Sequence, residues 1–173
     1  HIAANLVADG HEVVVFDADA SRSGAVDGAT PGTSVRDLAP ECAVTVLSLP
    51  TPAVVDAVAA EWAEAAHPGS VLVDLSTNSP AAVRALGERL DATGHRLVEA
   101  PLTGGAIGAE RRLLMFMVGG EDDAVAAARP VLEPLGRAFF HLGPLGVGNT
   151  MKLVNSLIAY TAIPQTVAAA SHP

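Results

Sequence analysis

Short runs of β-branched and other apolar residues alternate along this chain with longer stretches in which apolar residues recur at helical spacing. The predicted strands are residues 11–17, 44–49, 71–74, 97–99, 114–118 and 138–142. The predicted helices between them include residues 52–66, 80–93 and 122–135. Near-continuous apolar strands separated by helices indicate a parallel sheet that is covered on both faces. We therefore predict the α/β class, with a doubly wound, mostly parallel sheet.

Glycine, proline and capping residues punctuate this pattern. Asp9-Gly10 ends a first helical stretch, with Gly10 in the position that follows a helix C-terminus. Ser79-Pro80 places a capping hydroxyl just before a proline at the first helical position. The sharpest break is residues 143–148 (GPLGVG), and beyond it the pattern predicts one long helix that runs to the end of the chain.

Composition and charge bear on the core and on the possible partners. Apolar residues make up 50% of the chain and aromatic residues only 3%, so the core is mostly Ala, Val and Leu, and we expect Trp62, Phe139 and Phe140 to help fill it. The chain has 10 basic and 19 acidic residues, a net charge of −9. A sequence-independent nucleic-acid surface or a basic membrane-binding face needs clustered Lys and Arg. We therefore expect neither nucleic acid nor a membrane as partner.

Cysteine and histidine usage gives no sign of disulfides or metals. Cys42 is the single cysteine, and the 6 histidines form no H-x-x-x-H pair, so we expect no metal site. The first residues lack a cationic region followed by an apolar run, which favours a cytoplasmic location. The uncharged stretch 153–170 is nearly long enough to span a membrane, but Asn155 and Gln165 interrupt it. We interpret it as a helix buried against protein, with a lipid-facing segment as the less favoured alternative.

Asp17 stands at the end of the first predicted strand, which follows the first predicted helix. In a dinucleotide-binding βαβ unit, an acidic residue at the end of the second strand accepts hydrogen bonds from the adenosine ribose hydroxyls. An aspartate that only caps a turn fits this feature equally well. If Asp17 does bind a ribose, Ala18 after it favours NAD over NADP, because no adjacent arginine can bind a 2′-phosphate. Arg22 is close enough to weaken that preference.

Polar or glycine-rich loops follow three further strand ends, where open α/β sheets bind their ligands. Leu49-Pro50 and Ser76-Thr77 follow two of them and could contact a cofactor, although an ordinary capping loop is the favoured interpretation of each one alone. In Thr103-Gly104-Gly105 the paired glycines let backbone N–H groups point at an anion, and Thr103 adds a hydroxyl donor. A substrate carboxylate would fit there, with a plain tight turn as the equal alternative.

Lys152 is the only lysine of the chain, and it lies in the first turns of an otherwise uncharged predicted helix. Lys152, Asn155 and Ser156 are spaced i, i+3 and i+4, which puts them on one helix face. A partly desolvated lysine can exchange a proton near neutral pH, and Asn155 could orient a hydroxyl beside it. A surface lysine on an amphipathic helix is the ordinary alternative, but the apolar surroundings and the upstream glycines favour a functional role.

The same stretch carries a rival signal. Gly143, Gly148 and Thr150 match a phosphate-binding P-loop, but Asn149 stands where that loop has the lysine that contacts the phosphates. Loss of this cation removes much of the mechanism. A nucleoside-triphosphate binder is therefore the less favoured hypothesis.

Taken together and in order, these stretches resemble the β-hydroxyacid dehydrogenase family, which includes 3-hydroxyisobutyrate dehydrogenase and tartronate semialdehyde reductase. The stretches that carry the resemblance are residues 5–17, 49–52, 74–77, 100–105, 117–120 and 143–155. They resemble, in turn, the helix and second strand of a cofactor domain of the 6-phosphogluconate dehydrogenase type, its two cofactor loops, the substrate-binding signature, the strand after it and the catalytic signature. Each stretch alone is weak, whereas the ordered set is specific.

The resemblance implies a Rossmann-type fold and hydride transfer between NAD or NADP and a small 3-hydroxy acid of the 3-hydroxyisobutyrate or glycerate type. It implies that Lys152 is the general acid/base and that Asn155 positions the substrate. It also implies that Thr103, Gly104 and Gly105 hold the substrate carboxylate. The residues implied to contact the cofactor are Asp17, Leu49, Pro50, Ser76 and Thr77.

The resemblance further implies a cofactor domain at residues 1–146 and, at residues 147–173, the start of a long helix that leads into a helical C-terminal domain. Thr103 stands where the family usually has Ser, and Arg112-Leu113 where it often has Gly-Thr. The family's first strand, its glycine-rich turn and its C-terminal domain have no counterpart here. We therefore expect a fragment of a homo-oligomeric parent enzyme, and a nucleotide-binding module without turnover is the alternative.

Overall fold

The structure is a computed structural model that describes residues 1–170, and it describes the side chains of residues 1–161. The helices are α1 (Ile2–Ala8), α2 (Ala20–Ser23), α3 (Val35–Leu38), α4 (Pro52–Ala63), α5 (Pro80–Asp91), α6 (Gly105–Glu110), α7 (Asp122–Leu132) and α8 (Val147–Ala170). The strands are β1 (Val14–Val15), β2 (Thr30–Pro31), β3 (Val44–Leu47), β4 (Val71–Asp74), β5 (Arg96–Glu99), β6 (Leu102–Thr103), β7 (Leu114–Gly119) and β8 (Gly136–Gly143). Residues 171–173 of the last predicted segment lie outside the described residues.

The sheet is mostly parallel, as predicted. Strands β3, β4 and β5 pair in parallel, and so do β7 and β8. Strand β7 pairs antiparallel with β5 and β6, which the sequence pattern did not indicate. A parallel pair needs a crossover of about a dozen residues or more, usually a helix. The link between β6 and β7 holds only the short α6, so an antiparallel pairing results.

Strands β1 and β2 form a separate parallel pair. In the 3-2-1-4-5-6 order of a doubly wound sheet, β1 and β2 correspond to positions 2 and 3. Position 1 lies between positions 2 and 4 in that order, so this pair has no direct neighbour in the larger sheet. The predicted strand over residues 11–17 is also shorter, since only Val14–Val15 is paired. Asp17 therefore stands two residues beyond the strand, in the turn that leads to α2.

Both faces of the sheet are covered, and the alternation along β4 shows how. Val71 and Val73 belong to a core on one face, built with α1 and α7, whereas Leu72 points to the other face and packs with Trp62 of α4 and with α5. This arrangement confirms the doubly wound prediction. Trp62 is fully buried, but the prediction for Phe140 is wrong: this residue lies on the edge strand β8 and is 51% exposed.

The predicted capping residues Ser79 and Gly10 are confirmed. The Ser79 hydroxyl accepts a hydrogen bond from the Ala82 N–H (3.2 Å) at the start of α5. Gly10 follows α1 at a φ of +87°, a conformation that glycine adopts without a steric cost. Within the part of the chain that the structure describes, no helix is both long enough and apolar enough to cross a membrane.

Candidate active site at the carboxyl ends of the strands

The loops after β3, β4 and β5 meet the start of α8 in a buried network of hydrogen bonds. We call this network the polar junction. It comprises Asp74, Ser76, Asn78, Glu99, Gly146, Gly148 and Asn149. Buried polar groups are costly unless they are hydrogen-bonded, so a network of this kind fixes the relative positions of the elements that contribute to it.

Glu99, the last residue of β5, is at the centre of the polar junction. Its side chain is fully buried. Oε1 accepts from the backbone N–H groups of Gly146 and Gly148, the latter at 3.0 Å. Oε2 accepts from the backbone N–H (3.0 Å) and the side-chain amide (2.6 Å) of Asn149. The carboxylate thus takes up the donors at the start of α8, where the helix dipole also favours a negative charge.

Asn149 extends the network to the loop after β4. Its Oδ1 accepts from the Asn78 backbone N–H (2.7 Å), and the Asn78 amide donates to Asp74 (3.1 Å). Burial raises the pKa of Asp74, although hydrogen bonds from Ser76 and Asn78 oppose the effect. Ser76 in turn accepts from the Leu49 N–H (3.0 Å), which ties the loop after β3 to the loop after β4.

The P-loop alternative is not supported by this geometry. In a P-loop the backbone N–H groups of the glycine-rich turn cradle phosphates. Here the N–H groups of Gly146, Gly148 and Asn149 are all bound to Glu99, and the Thr150 N–H donates to the Gly146 carbonyl. A phosphate would have to displace a buried carboxylate to reach them.

Lys152, Asn155 and Ser156 lie on the half-buried side of α8, while Met151 and Leu153 beside them are exposed. This side of the helix is the one that carries Asn149 into the polar junction. Asn149 and Lys152 are therefore about one helical turn apart along the backbone of α8. The predicted role of Lys152 as general acid/base stays a prediction.

Strand β7 links the start of α8 to the Thr103 turn. A Cβ at Gly148 would stand 2.4 Å from the Met117 carbonyl oxygen, so α8 begins directly on β7. Lys152 lies four residues after Gly148, about 6 Å further along the helix axis. Strand β7 also carries Met115, whose partner across the antiparallel ladder is Thr103. Directly paired residues share a face of the sheet, so Thr103 and Met115 point to the same side.

The turn after β6 leaves room for a ligand. Gly104 and Gly105 have φ values of +129° and +62°, conformations that side-chain-bearing residues rarely adopt. A Cβ at Gly104 would approach Leu114 to 3.2 Å, whereas a Cβ at Gly105 would meet no atom within 4 Å. Both glycines are exposed and Thr103 is half-buried. The turn is therefore anchored on the Gly104 side and open on the Gly105 side.

Asp17 fits the recognition of a ribose. One of its carboxylate oxygens accepts the Asp19 N–H (2.9 Å), so the side chain is held by its own turn. In residues 1–161, no group donates to the other oxygen, which leaves it available for a hydroxyl. Arg22 pairs with Asp19 (3.4 Å). In the polar junction, the buried Oδ1 of Asn78 has no hydrogen-bond partner among the described residues. The second oxygen of Asp17 is compatible with a bound dinucleotide.

The remaining candidates differ in exposure. Thr77 and Pro50 are exposed and Leu49 is half-buried, whereas Ser76 is buried and engaged with Leu49. We use the term open rim for the accessible candidates at this end of the sheet. The open rim comprises Asp17, Thr77, Thr103, Gly105 and Lys152.

Arg112 has a φ of +58°. The Arg112 guanidinium donates to Asp9 (2.6 Å) and to the Asn5 carbonyl (3.1 Å), which compensates for the unfavourable backbone conformation. The hydrogen bond from Arg112 lowers the pKa of the Asp9 carboxyl. The loop before β7 is thereby fastened to α1.

Comparison with known proteins decides the family. Residues 1–143 match the model of the NAD binding domain of 6-phosphogluconate dehydrogenase. The chain belongs to this family. The match confirms the predicted cofactor class, NAD or NADP, and agrees with the Rossmann-type arrangement of the strands.

Individual relatives of this NAD-binding domain carry dehydrogenase names. The mitochondrial 3-hydroxyisobutyrate dehydrogenase of Drosophila melanogaster is 36% identical over 161 residues, which cover 91% of this chain and 50% of that protein. The NAD-dependent L-serine dehydrogenase of Pseudomonas aeruginosa is 34% identical over 163 residues, covering 90% and 54%. The structure of Mycobacterium tuberculosis 3-hydroxyisobutyrate dehydrogenase with L-serine superposes with a TM-score of 0.87 at 34% identity, covering 91% and 55%.

The chain spans about half the length of the curated relatives it matches. Within that span, the relatives confirm the resemblance to 3-hydroxyisobutyrate dehydrogenases that the ordered motifs predicted.

Sequence reasoning missed the polar junction of this domain. In the sequence, Glu99 is the polar end of an apolar strand, and Asn149 is only the residue that departs from the P-loop pattern. The three glycines that surround Glu99 in the fold, Gly119, Gly146 and Gly148, are visible in the sequence. Nothing in their spacing along the chain, however, indicates that all three pack against the same carboxylate.

Proposed function

We propose that the protein containing this chain is an NAD(P)-dependent dehydrogenase of short 3-hydroxy acids. The observation that carries the proposal is that α8, which bears Lys152, begins on β7, the strand that pairs with the Thr103 strand, in a chain that matches an NAD-binding domain. The substrate class includes L-serine and 3-hydroxyisobutyrate, because relatives with about a third identity carry those names.

Each candidate site residue has one role in this proposal. The backbone N–H groups of Gly104 and Gly105, with the Thr103 hydroxyl, bind the substrate carboxylate. Asn155 orients the substrate hydroxyl, and the amine of Lys152 takes the proton of that hydroxyl during oxidation. Asp17 accepts hydrogen bonds from the adenosine ribose, and the loops of Leu49-Pro50 and Ser76-Thr77 line the cofactor. NAD(P), when bound, supplies the hydride acceptor.

The cytoplasmic location, the oligomeric state and the division at residue 146 stay predictions.

The decisive experiment is Lys152→Ala in the intact protein. We expect kcat for 3-hydroxyisobutyrate or L-serine oxidation to fall by about 1,000-fold or more, because proton transfer from the hydroxyl loses its acceptor. The Kd for NADH, measured by fluorescence titration, should change by less than about threefold. Lys152→Arg is the matched control, since it keeps the charge but cannot release a proton near neutral pH.

Undiminished turnover in Lys152→Ala would contradict the proposal. A wild-type protein that binds NADH in the micromolar range but oxidises no 3-hydroxy acid would favour the alternative, a nucleotide-binding module without turnover.

A further inference from the structure

The proposed mechanism does not use Glu99, although Glu99 is a fully buried carboxylate beside the site. Among the described residues, no cation forms an ion pair with it. Four donors from residues 146–149 converge on its two oxygens instead. A carboxylate offers acceptors only, so it satisfies all four, whereas a glutamine amide would point its own N–H groups at two of them.

The backbone around Glu99 is shaped to this carboxylate. A Cβ at Gly119 would stand 2.4 Å from Glu99 Oε1, and a Cβ at Gly148 would stand 3.1 Å from Glu99 Cδ. Gly146 has a φ of +97°, which allows its N–H to turn toward the same oxygen. The position of the carboxylate and the position of the first turn of α8 therefore determine each other.

The first turn of α8 carries Lys152 with it. Asn149, which gives Glu99 both its backbone and its side-chain N–H, stands three residues before Lys152 on the same helix face. A rotation or a shift of this turn would move the amine relative to the Thr103 turn. Misplacement of a reacting group by about 1 Å can cost about 100-fold in rate.

Asn149 also connects Glu99 to the cofactor loop. Its Oδ1 accepts from the Asn78 N–H, one residue after Thr77. We propose that Glu99 is a positioning residue, which holds the first turn of α8 so that Lys152 is aligned with both the substrate turn and the cofactor loop. This inference rests on the proposed function, because it assumes that the amine of Lys152 transfers the proton.

The test is Glu99→Gln in the intact protein. We expect kcat for oxidation to fall by about 10- to 100-fold, the Kd for NADH to change by less than about threefold, and exchange of the Gly148 and Asn149 amide hydrogens to accelerate by about tenfold. Thr45→Val is the matched control. Thr45 is buried on β3 and accepts a hydrogen bond from the Trp62 indole (2.9 Å), so this variant loses a buried hydrogen bond in the same sheet without contact to α8.

A double-mutant cycle separates positioning from a general structural role. In a Lys152→Ala background, Glu99→Gln should lower the remaining kcat by less than about twofold, because no amine is left to align. Independent, multiplicative losses would overturn the inference. So would a Glu99→Gln protein that keeps wild-type kcat and only melts earlier, as we expect of Thr45→Val.

Two further outcomes are distinguishable. If Lys152→Ala keeps full turnover, the proposed function fails and the positioning role fails with it. If Lys152→Ala is inactive but Glu99→Gln is not, only the positioning role fails. Should Glu99→Gln not fold, Asn149→Ala provides a milder test, because it keeps the backbone N–H and removes only the side-chain bridge between Glu99 and Asn78. We expect Asn149→Ala to lower kcat by about threefold or more, and again only when Lys152 is present.

Discussion

The polar junction and the open rim lie side by side at the carboxyl ends of the strands, yet they are built in opposite ways. In the polar junction, Glu99 is fully buried and both of its oxygens are engaged. In the open rim, one carboxylate oxygen of Asp17 accepts from no group of residues 1–161, and Gly105 faces open space. A buried group whose acceptors are all engaged, such as the Glu99 carboxylate, holds elements together, whereas accessible groups with unused donors or acceptors can exchange partners with a ligand. The difference separates the groups that set the geometry from those proposed to do the chemistry.

The sharpest test of this difference exchanges one glycine in each region for alanine. Gly148→Ala should lower the free energy of unfolding by about 2 kcal/mol, because the new methyl group would meet the backbone carbonyl of Met117. Gly105→Ala should cost only about 1 kcal/mol, the price of a left-handed backbone without a clash. Urea unfolding monitored by circular dichroism measures both.

For substrate binding, we expect the larger effect in Gly105→Ala. Gly105→Ala adds a methyl group beside the proposed carboxylate site, so we expect a raised KM for the hydroxy acid in a protein of nearly normal stability. Equal losses of stability in both variants would remove the distinction between the two regions.

A smaller effect is expected at Asp17. In the intact protein, Asp17→Ala should raise the Kd for NADH about tenfold, as expected for the loss of charge-assisted hydrogen bonds to a ribose. The free energy of unfolding should change by less than about 0.5 kcal/mol, since Asp17 contacts only its own turn. Asp27→Ala is the matched control, because Asp27 is exposed and carries the same charge. An unchanged Kd in Asp17→Ala would leave Asp17 as a turn cap.

The smallest effect is the pH dependence contributed by Asp74 in the polar junction. Burial raises the pKa of Asp74 in the folded protein, so the folded state still binds a proton at pH values where the unfolded state has released it. Stability from this group is therefore greatest below the ordinary carboxyl range and falls as the pH rises through the raised pKa.

The variant Asp74→Asn removes this titration. The free energy of unfolding of the wild type, relative to that of Asp74→Asn, should decrease between acidic and neutral pH, and urea unfolding across that range measures it. A relative stability that increases with pH would mean that hydrogen bonds from Ser76 and Asn78 outweigh the burial of Asp74.

The sequence predicted most of the fold because local patterns are strong in it. The apolar run of β4 was predicted with the bounds that the structure has, and the cap at Ser79 has the predicted hydrogen bond. The first strand was predicted too long, because an apolar run shows where a strand can form but not how much of it finds a partner. The antiparallel pairing of β7 was also missed, because an apolar run does not show the direction in which a strand pairs. That direction depends on the length of the connection.

The candidate site was predicted unevenly. The residues of the open rim were proposed from the sequence because they follow strand ends or belong to an ordered set of motifs, and their roles stay predictions. The ion pair of Arg112 with Asp9, about a hundred residues apart in sequence, left no local sign. The same holds for Phe140, whose apolar side chain gives no indication that its strand lies at the edge of the sheet.

By itself, the sequence determined the order of strands and helices, the cofactor class and the residue types available at the rim, because these depend on periodicity and on short motifs. Only the tertiary structure decided that the Glu99 carboxylate binds the backbone N–H groups of Gly146, Gly148 and Asn149. Such contacts join residues about fifty positions apart, and no spacing along a chain specifies a distance that is set by how its sheet is paired and its helices are packed.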